Sequence, residues 1–279
     1  MARFLKVQQK GVSISMTRRT FTQTLGLAAA AGRAWSAPYR LKIGVGTYSY
    51  HSLSIDDMIV QLNRLNIREI EMSRVEFMLM KPPTPEMCQS ARSKFDRAGI
   101  RCISYYTATI KNDQDLDYAV QYGKLLGAHN ITGDATGDML RKIDERLTRE
   151  GLTFGIHNHY FKNEKFPFES ADDVLNALKG RSKTMGSTLD VGQMVSCRQD
   201  PVGAVRKLGP YLKMVHLKDI AAPGDEVNVL LGRGVAKIPE VMAELHKVNY
   251  RGLVAVEYEK EGDVDEDMRQ EIEYARKLA

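Results

Sequence analysis

The stretch GLTFGIHNHY, Gly151–Tyr160, carries two of the six histidines in this 279-residue chain. Side chains alternate between the faces of a strand. Phe154 and Ile156 therefore share one face, and Thr153, Gly155, His157 and His159 share the other. The first face is apolar and suits packing against helices. The second ends in imidazoles where the buried run should come to the surface, so the carboxyl end of this strand is where chemistry is expected.

The same kind of run recurs along the chain. Short β-like segments are predicted at Lys42–Gly46, Ile67–Met72, Ile100–Tyr105, Ala128–Gly133, Leu152–His157, Met185–Asp190, Leu212–Leu217 and Gly252–Glu257. Their spacing of about thirty residues is the size of a βα unit. Helix signals lie between them. Ser54-Ile55-Asp56-Asp57 reads as an N-terminal cap, with Met58, Ile59, Leu62 and Leu65 forming an apolar face behind it. Thr84-Pro85-Glu86 places proline at a first helical turn, Ser170 caps a helix stopped by Gly180, and Asp200-Pro201 opens another. Eight strands alternating with helices predict an α/β fold, a single (β/α)8 TIM barrel. A doubly wound sheet would need a glycine-rich phosphate turn. Gly44-Val45-Gly46 lacks the third glycine and runs into Thr47-Tyr48, so it is no dinucleotide fingerprint.

Barrel chemistry sits at the C-terminal ends of the strands. By alternation the fifth strand turns His157 and His159 inward, and the sixth ends on Asp190. The seventh turns His216 and Lys218 inward, and the eighth Glu257 and Glu259. One histidine at a strand end is ordinarily a hydrogen-bonded structural residue. Four ligand-type residues on four consecutive strands, His157, Asp190, His216 and Glu257, point to one divalent metal ion. Glu71, near the end of the second strand, is a candidate substrate contact together with Lys218, Arg233 and Glu259. Tyr48 and His51, after the first strand, are candidate pocket residues. Asp219 is expected to brace the loop that follows it.

The charge of +5 at first suggests nucleic acid, but its distribution does not. Residues 1–36 contain Arg3, Lys6, Lys10, Arg18, Arg19 and Arg33 and no acid, so the remainder has a net charge of −1. A basic nucleic-acid groove loses its support. Within that leader, Met16-Thr17-Arg18-Arg19-Thr20-Phe21 precedes a mild apolar run, Leu25–Ala31, and the small-residue segment Ala34-Trp35-Ser36. This resembles a twin-arginine export signal, with departures at Thr22 and Gln23, and Met16 is a candidate true start. The apolar run is too short to span a bilayer, so no stable membrane anchor is expected. The division expected is a leader at 1–36 and a barrel domain at 37–279, with an extracytoplasmic or periplasmic address. Cys88, Cys102 and Cys197 have no paired spacing and predict no disulfide framework.

From about Leu41 to Leu278 the chain resembles the xylose isomerase-like barrel family of sugar-phosphate isomerases and epimerases, inosose dehydratases and, more distantly, endonuclease IV. The most specific segments are His216-Leu217-Lys218-Asp219, Leu231-Gly232-Arg233-Gly234 and Tyr250–Glu259. The resemblance implies one divalent ion held at the ends of strands five to eight, by Glu, Asp, His and Glu in many isomerase members. Asp190, His216 and Glu257 match three of those places. His157 stands where the isomerase pattern has glutamate, and Gln193 where relatives often carry histidine. A second imidazole shifts metal preference from Mg²⁺ toward Mn²⁺, Zn²⁺, Co²⁺ or Fe²⁺. It also removes a carboxylate that serves the epimerases as a base; His159, Glu259, Glu71 and Lys218 are the candidates to replace it, and Glu257 and His159 are the expected catalytic pair.

The expected activity is metal-dependent isomerisation or epimerisation of a small carbohydrate, a sugar or keto-sugar, through an enediolate. The His-x-His of strand five resembles inosose dehydratases and makes dehydration or β-elimination the alternative. A nuclease of the same fold and a non-catalytic sugar-binding barrel are the readings from other classes. A homo-oligomer remains open.

Overall fold

The computed structural model describes residues 39–73, 84–107, 109–260 and 262–279. The leader expected at 1–36 lies outside them. Leu41–Ala279 forms one compact unit. Its strands are β1 (Lys42–Gly46), β2 (Glu69–Ser73), β3 (Arg101–Tyr106), β4 (Asn130–Gly133), β5 (Thr153–His157), β6 (Met185–Asp190), β7 (Leu212–Leu217), the short β8 (Asp219–Ile220) and β9 (Asn228–Val229), and β10 (Leu253–Val256). All but β8 and β9 close a parallel barrel in the order β1-β10-β7-β6-β5-β4-β3-β2. The expected barrel is therefore present, and the strand boundaries differ from the sequence reading by at most two residues at either end. β8 and β9 form a separate antiparallel pair beyond the seventh stave, with Asp219 opposite Val229.

The helices α1 (Ile55–Arg64), α2 (Pro85–Arg97), α3 (Asp113–Leu126), α4 (Asp138–Glu150), α5 (Ala171–Leu178), α6 (Val191–Ser196), α7 (Pro201–Leu208), α8 (Ile238–Lys247) and α9 (Asp265–Leu278) lie between and after the strands. Their starts are set by local chemistry. Ser54 Oγ accepts from Asp57 N at 3.1 Å, and Asp200 Oδ2 from Gly203 N at 3.1 Å. Ser170 and Asp173 cap α5 reciprocally. Each such cap contributes about 1 kcal/mol. Among the described residues no helix is long and apolar enough to cross a membrane.

Alternation sorts the barrel residues into two layers. Phe154, Ile156, Leu189, Val215, Leu217, Val254 and Val256 are fully buried, on the faces that the strands turn to the helices. Inside the barrel Met214, Leu253 and Ala255 pack with Ile103. Above that apolar floor lies a polar layer. Ser104 Oγ donates to Glu71 Oε1 at 2.8 Å, Asn130 Nδ2 donates to Ser104 Oγ at 2.9 Å, and the Thr132 and Thr188 hydroxyls are 2.9 Å apart. Register then sets the height of the strand ends: His157 pairs with Thr188, Asp190 with His216, and Ala255 with His216.

Candidate functional site

Among the described residues, His157, Asp190 and His216 are all buried, and each offers a ligand atom within 4.8 Å of the others. Those atoms have an unusual status. His157 Nε2, Asp190 Oδ2 and His216 Nδ1 are buried with no hydrogen-bond partner in the protein. Leaving one such group unsatisfied costs about 1–3 kcal/mol. Three of them facing one another could hold a metal ion.

The outer atom of each ligand is held from behind. His216 Nε2 donates to Glu71 Oε2, which turns Nδ1 toward the cluster. His157 Nδ1 lies 3.3 Å from the Tyr106 hydroxyl, which is placed to fix that ring in the tautomer with Nε2 exposed to the ligand cluster. Asp190 divides its oxygens between two tasks. Oδ1 accepts from Gln193 N at 2.9 Å and caps α6, which leaves Oδ2 for the cluster. Hydrogen bonds that orient ligands in this way raise metal affinity.

Asn158 supports the same carboxylate through its backbone. Its Oδ1 accepts from Asp190 N at 2.8 Å and its Nδ2 donates to Asp190 O at 3.0 Å, which clamps the ends of β5 and β6 together. The sequence carried a signal for this residue that was not used. Asn158 continues the outward register of Phe154 and Ile156, and a polar group on a buried apolar face must find a partner.

Charge around the cluster is strongly unbalanced. Lys218 is 2% exposed and lies 3.3 Å from Asp190 Oδ2 and 3.1 Å from Glu257 Oε2, and it donates to Glu259. Three carboxylates surround this ammonium, and a fourth, Glu71, pairs with His216. Burial opposes its charge, yet Asp190, Glu257 and Glu259 outweigh burial and hold the lysine pKa well above its ordinary value. Burial likewise opposes a charged His216, but Glu71 and Glu257 hold that ring's pKa well above the usual imidazole range. Burial would raise the Asp190 pKa, but Lys218 and the two imidazoles keep it well below the usual carboxylate range. For His157 burial wins and takes its pKa down to about 4, leaving a neutral ring. The site thus gathers ionised oxygen and keeps the His157 ring neutral, and a neutral imidazole beside ionised oxygen suits a divalent transition ion. Gly192 makes room for this arrangement, because a Cβ there would lie 2.9 Å from the Lys218 stem.

The cluster borders a pocket of about 270 Å³, lined in part by Tyr48, Tyr106, His157, His159, Lys218, Glu257 and Glu259. Glu257 Oε2 stands 3.5 Å from His216 Nδ1, close enough to complete the ligand set. His159 Nδ1 donates to Tyr160 O at 2.8 Å, so its Nε2 carries the lone pair. Burial, aided by Lys218, lowers its pKa. Gln193 also lines the pocket and accepts from Tyr160 N at 2.9 Å, so it shapes the loop after β5.

Two residues expected to contact substrate lie elsewhere. Glu71 is fully buried behind His216, because β2 runs on to Ser73 and holds Glu71 two residues below its end, in the polar layer. Arg233 is exposed and absent from the pocket wall. Its loop is organised instead by Asp219, which accepts from Gly232 N, Gly234 N and Ala236 N at 2.9, 3.0 and 2.9 Å, the bracing expected of it. Of the pair after β1, Tyr48 reaches the pocket, while His51 stacks on it at 5.1 Å.

Solved structures share this architecture. They include the probable 3-DHS dehydratase AsbF involved in petrobactin synthesis from Bacillus anthracis, at 12% identity and TM-score 0.69, covering 84% of this chain and 98% of that one. An IOLI protein with a bound zinc atom matches at 11% identity and TM-score 0.68, over 85% of this chain and 98% of that one. A sugar phosphate isomerase/epimerase from Parabacteroides distasonis matches at 19% identity and TM-score 0.61, over 86% and 97%. At these identities the likeness is one of fold. No curated protein sequence matches the chain. The family model described as xylose isomerase-like TIM barrel matches residues 66–278, a span that holds β2 through β10 and every residue of the ligand cluster. The chain belongs to the xylose isomerase-like TIM barrel family.

Proposed function

We propose that this protein is a divalent-metal-dependent enzyme that isomerises or epimerises a sugar or keto-sugar through an enediolate. The observation that carries the reading is the convergence of three buried, partnerless donor atoms, His157 Nε2, Asp190 Oδ2 and His216 Nδ1, beside a pocket with a basic imidazole in its wall. A bound divalent ion would supply Lewis acidity toward adjacent carbonyl and hydroxyl oxygens and acidify the C–H between them. His157, Asp190, His216 and Glu257 would hold it. The two imidazoles favour Mn²⁺, Zn²⁺, Co²⁺ or Fe²⁺ over Mg²⁺.

The proton chemistry belongs to the chain's own side chains. His159 accepts the proton at Nε2, since Nδ1 is committed to Tyr160 O. Returning the proton to the neighbouring carbon gives the isomer, and returning it to the other face gives the epimer, with Glu257 as the second acid/base. Lys218 fixes Asp190 and Glu257 and offsets their repulsion.

One observation favours elimination as a second reading. The pocket that holds His159 also holds the Lys218 ammonium, hydrogen-bonded to Glu259, so a departing β-hydroxyl would meet positive charge that steadies its developing anion. A probable dehydratase among the structures of like fold agrees with that variant. The twin-arginine leader adds an extracytoplasmic address, and with it an unphosphorylated saccharide.

Elemental analysis of the purified protein tests the site. About one transition-metal ion per chain is expected in the wild type and much less in His157→Ala; a metal-free wild type overturns the assignment. Solvent deuterium exchange at the α-carbon across a panel of keto-sugars with Mn²⁺ tests the chemistry, and no exchange with any sugar would favour a binding protein.

A further inference from the structure

A ladder of aromatic rings climbs from the ligand cluster to the protein surface. The ring of His157, 3% exposed, lies 5.6 Å from His159, and His159 stacks on Phe161 at 4.5 Å with 22° between planes. Phe161 is 45% exposed. Phe166 closes the ladder from the side, 5.8 Å from His159 and 5.5 Å from Phe161. Phe161 and Phe166 both line the same pocket as His157 and Glu257.

The loop that carries these rings is well tied. His159 N donates to Phe168 O at 3.2 Å, Tyr160 N to Gln193 Oε1 at 2.9 Å, and Phe166 N to Glu169 Oε1 at 2.7 Å. Phe168, 4% exposed, anchors Phe166 edge-on at 6.1 Å. A phenylalanine held half in water by such a frame is a prepared contact surface rather than a stray side chain. The charged groups described along the wall do not match a phosphate. Asp134, Glu257 and Glu259 stand there with Lys218, and Lys218 is held by Asp190, Glu257 and Glu259.

We propose that the Phe161–Phe166 platform is a second subsite that stacks a ring attached to the reacting sugar, so that the substrate is an uncharged keto-glycoside or reducing oligosaccharide, which keeps a carbonyl for the enediolate, rather than a free or phosphorylated monosaccharide. This rests on the reading of the ligand cluster as the reacting centre. The shared chemistry is a six-membered ring with an apolar face. An aryl aglycone and a second pyranose both supply it, since aromatic side chains gain energy from stacking on either.

The test is calorimetric titration of the Mn²⁺-loaded protein with matched ligands on glucose, galactose and xylose: methyl glycosides, phenyl glycosides, β-linked disaccharides and the sugar phosphates. For at least one sugar the phenyl glycoside or the disaccharide should bind about five- to tenfold more tightly than the methyl glycoside. Whichever is tighter identifies the ring. Phe161→Ala should remove that advantage, Phe161→Tyr should retain it, and both should hold the metal at the wild-type ratio with an unchanged melting temperature. Equal binding of methyl and ring-bearing ligands, tightest binding by a sugar phosphate, or an advantage that survives Phe161→Ala overturns the subsite. So does a change of oligomeric state in Phe161→Ala without a change in ligand binding, which would make the platform a contact between copies of the chain. Loss of metal from the wild type would instead remove the reacting centre, a separate failure read by elemental analysis.

Discussion

Strands β5, β6 and β7 end in groups whose polar atoms are left facing one another, whereas Glu71, Ser104, Asn130 and Thr132 on β2, β3 and β4 have theirs paired. The two sides are built from similar residues at similar depth. The difference is where the hydrogen bonds go. On the first side each outer atom is satisfied and each inner atom is not. On the second, carboxylate, hydroxyl and amide satisfy one another across the barrel, and this side reaches the other through Glu71 to His216, Tyr106 to His157 and Thr132 to Thr188. A donor set therefore needs both halves, one to present lone pairs and one to fix the rings that carry them.

The largest expected effect comes from breaking the presenting side without disturbing its fold. Asp190→Asn keeps an oxygen to cap α6 and replaces the inner Oδ2 with an amide. Metal content should fall to a small fraction of an ion per chain, and kcat/KM by about 10³-fold or more. The apo proteins should melt at similar temperatures. An Asp190→Asn protein that holds metal as wild type does would show that Oδ2 is not a ligand. The supporting side should respond less. Glu71→Gln leaves an acceptor for His216 Nε2–H and removes its charge, so metal affinity should weaken about 10- to 100-fold with the fold retained. Competition with a chelator measures both, and the order of the two variants is the check on the comparison.

The same contrast explains what could be read from the chain. The barrel followed from the spacing of short apolar runs and from caps such as Ser54, Ser170 and Asp200, all of which are local signals. The inward set His157, Asp190, His216, Lys218 and Glu257 followed from two-residue alternation, also local. The supports were not legible. Glu71 and His216 are 145 residues apart, and no periodicity links them. Tyr106 meets His157 across 51 residues for the same reason. The Phe161–Phe166 platform escaped because it sits on a loop beyond the strand, where alternation stops. Asn158 was the one support with a local sign, a polar side chain in an apolar register.

A second buried carboxylate oxygen without a hydrogen-bond partner sharpens the comparison by lacking imidazoles beside it. Glu271 on α9 is 2% exposed, accepts from Leu231 N at 3.2 Å through Oε1, and leaves Oε2 without a partner. Burial, with Asp219 and Asp267 nearby, pushes its pKa up to about 8. Here a proton, not a metal, satisfies the oxygen. The folded-state pKa is raised, so the stability from this group is fully present below the unfolded carboxylate range and is lost as pH rises through about 8. Glu271→Gln should be more stable than wild type at pH 8.5 by about 2 kcal/mol and nearly equal to it at pH 4.5. Urea denaturation at the two pH values reads the difference. A wild-type advantage at pH 8.5 would mean that the carboxylate is ionised and usefully bonded in the fold.

The smallest effect is expected at Arg233, and it separates a motif's frame from its passenger. The segment Leu231-Gly232-Arg233-Gly234 is among those that carry the family resemblance, and the structure gives a reason for its first glycine. Gly232 has φ of 81°, and a Cβ there would lie 2.4 Å from the Tyr274 hydroxyl. Asp219 then fixes the loop through the backbone N–H groups of Gly232, Gly234 and Ala236, so no side chain of the loop is needed to hold its shape. Arg233 is exposed at the turn and outside the pocket wall. Arg233→Ala should therefore leave metal affinity unchanged and shift KM by no more than about twofold, the range of an ordinary surface substitution. A tenfold rise in KM with kcat preserved would show that the loop closes over bound substrate and brings the guanidinium to it, and the frame held by Asp219 would then be a hinge rather than a brace.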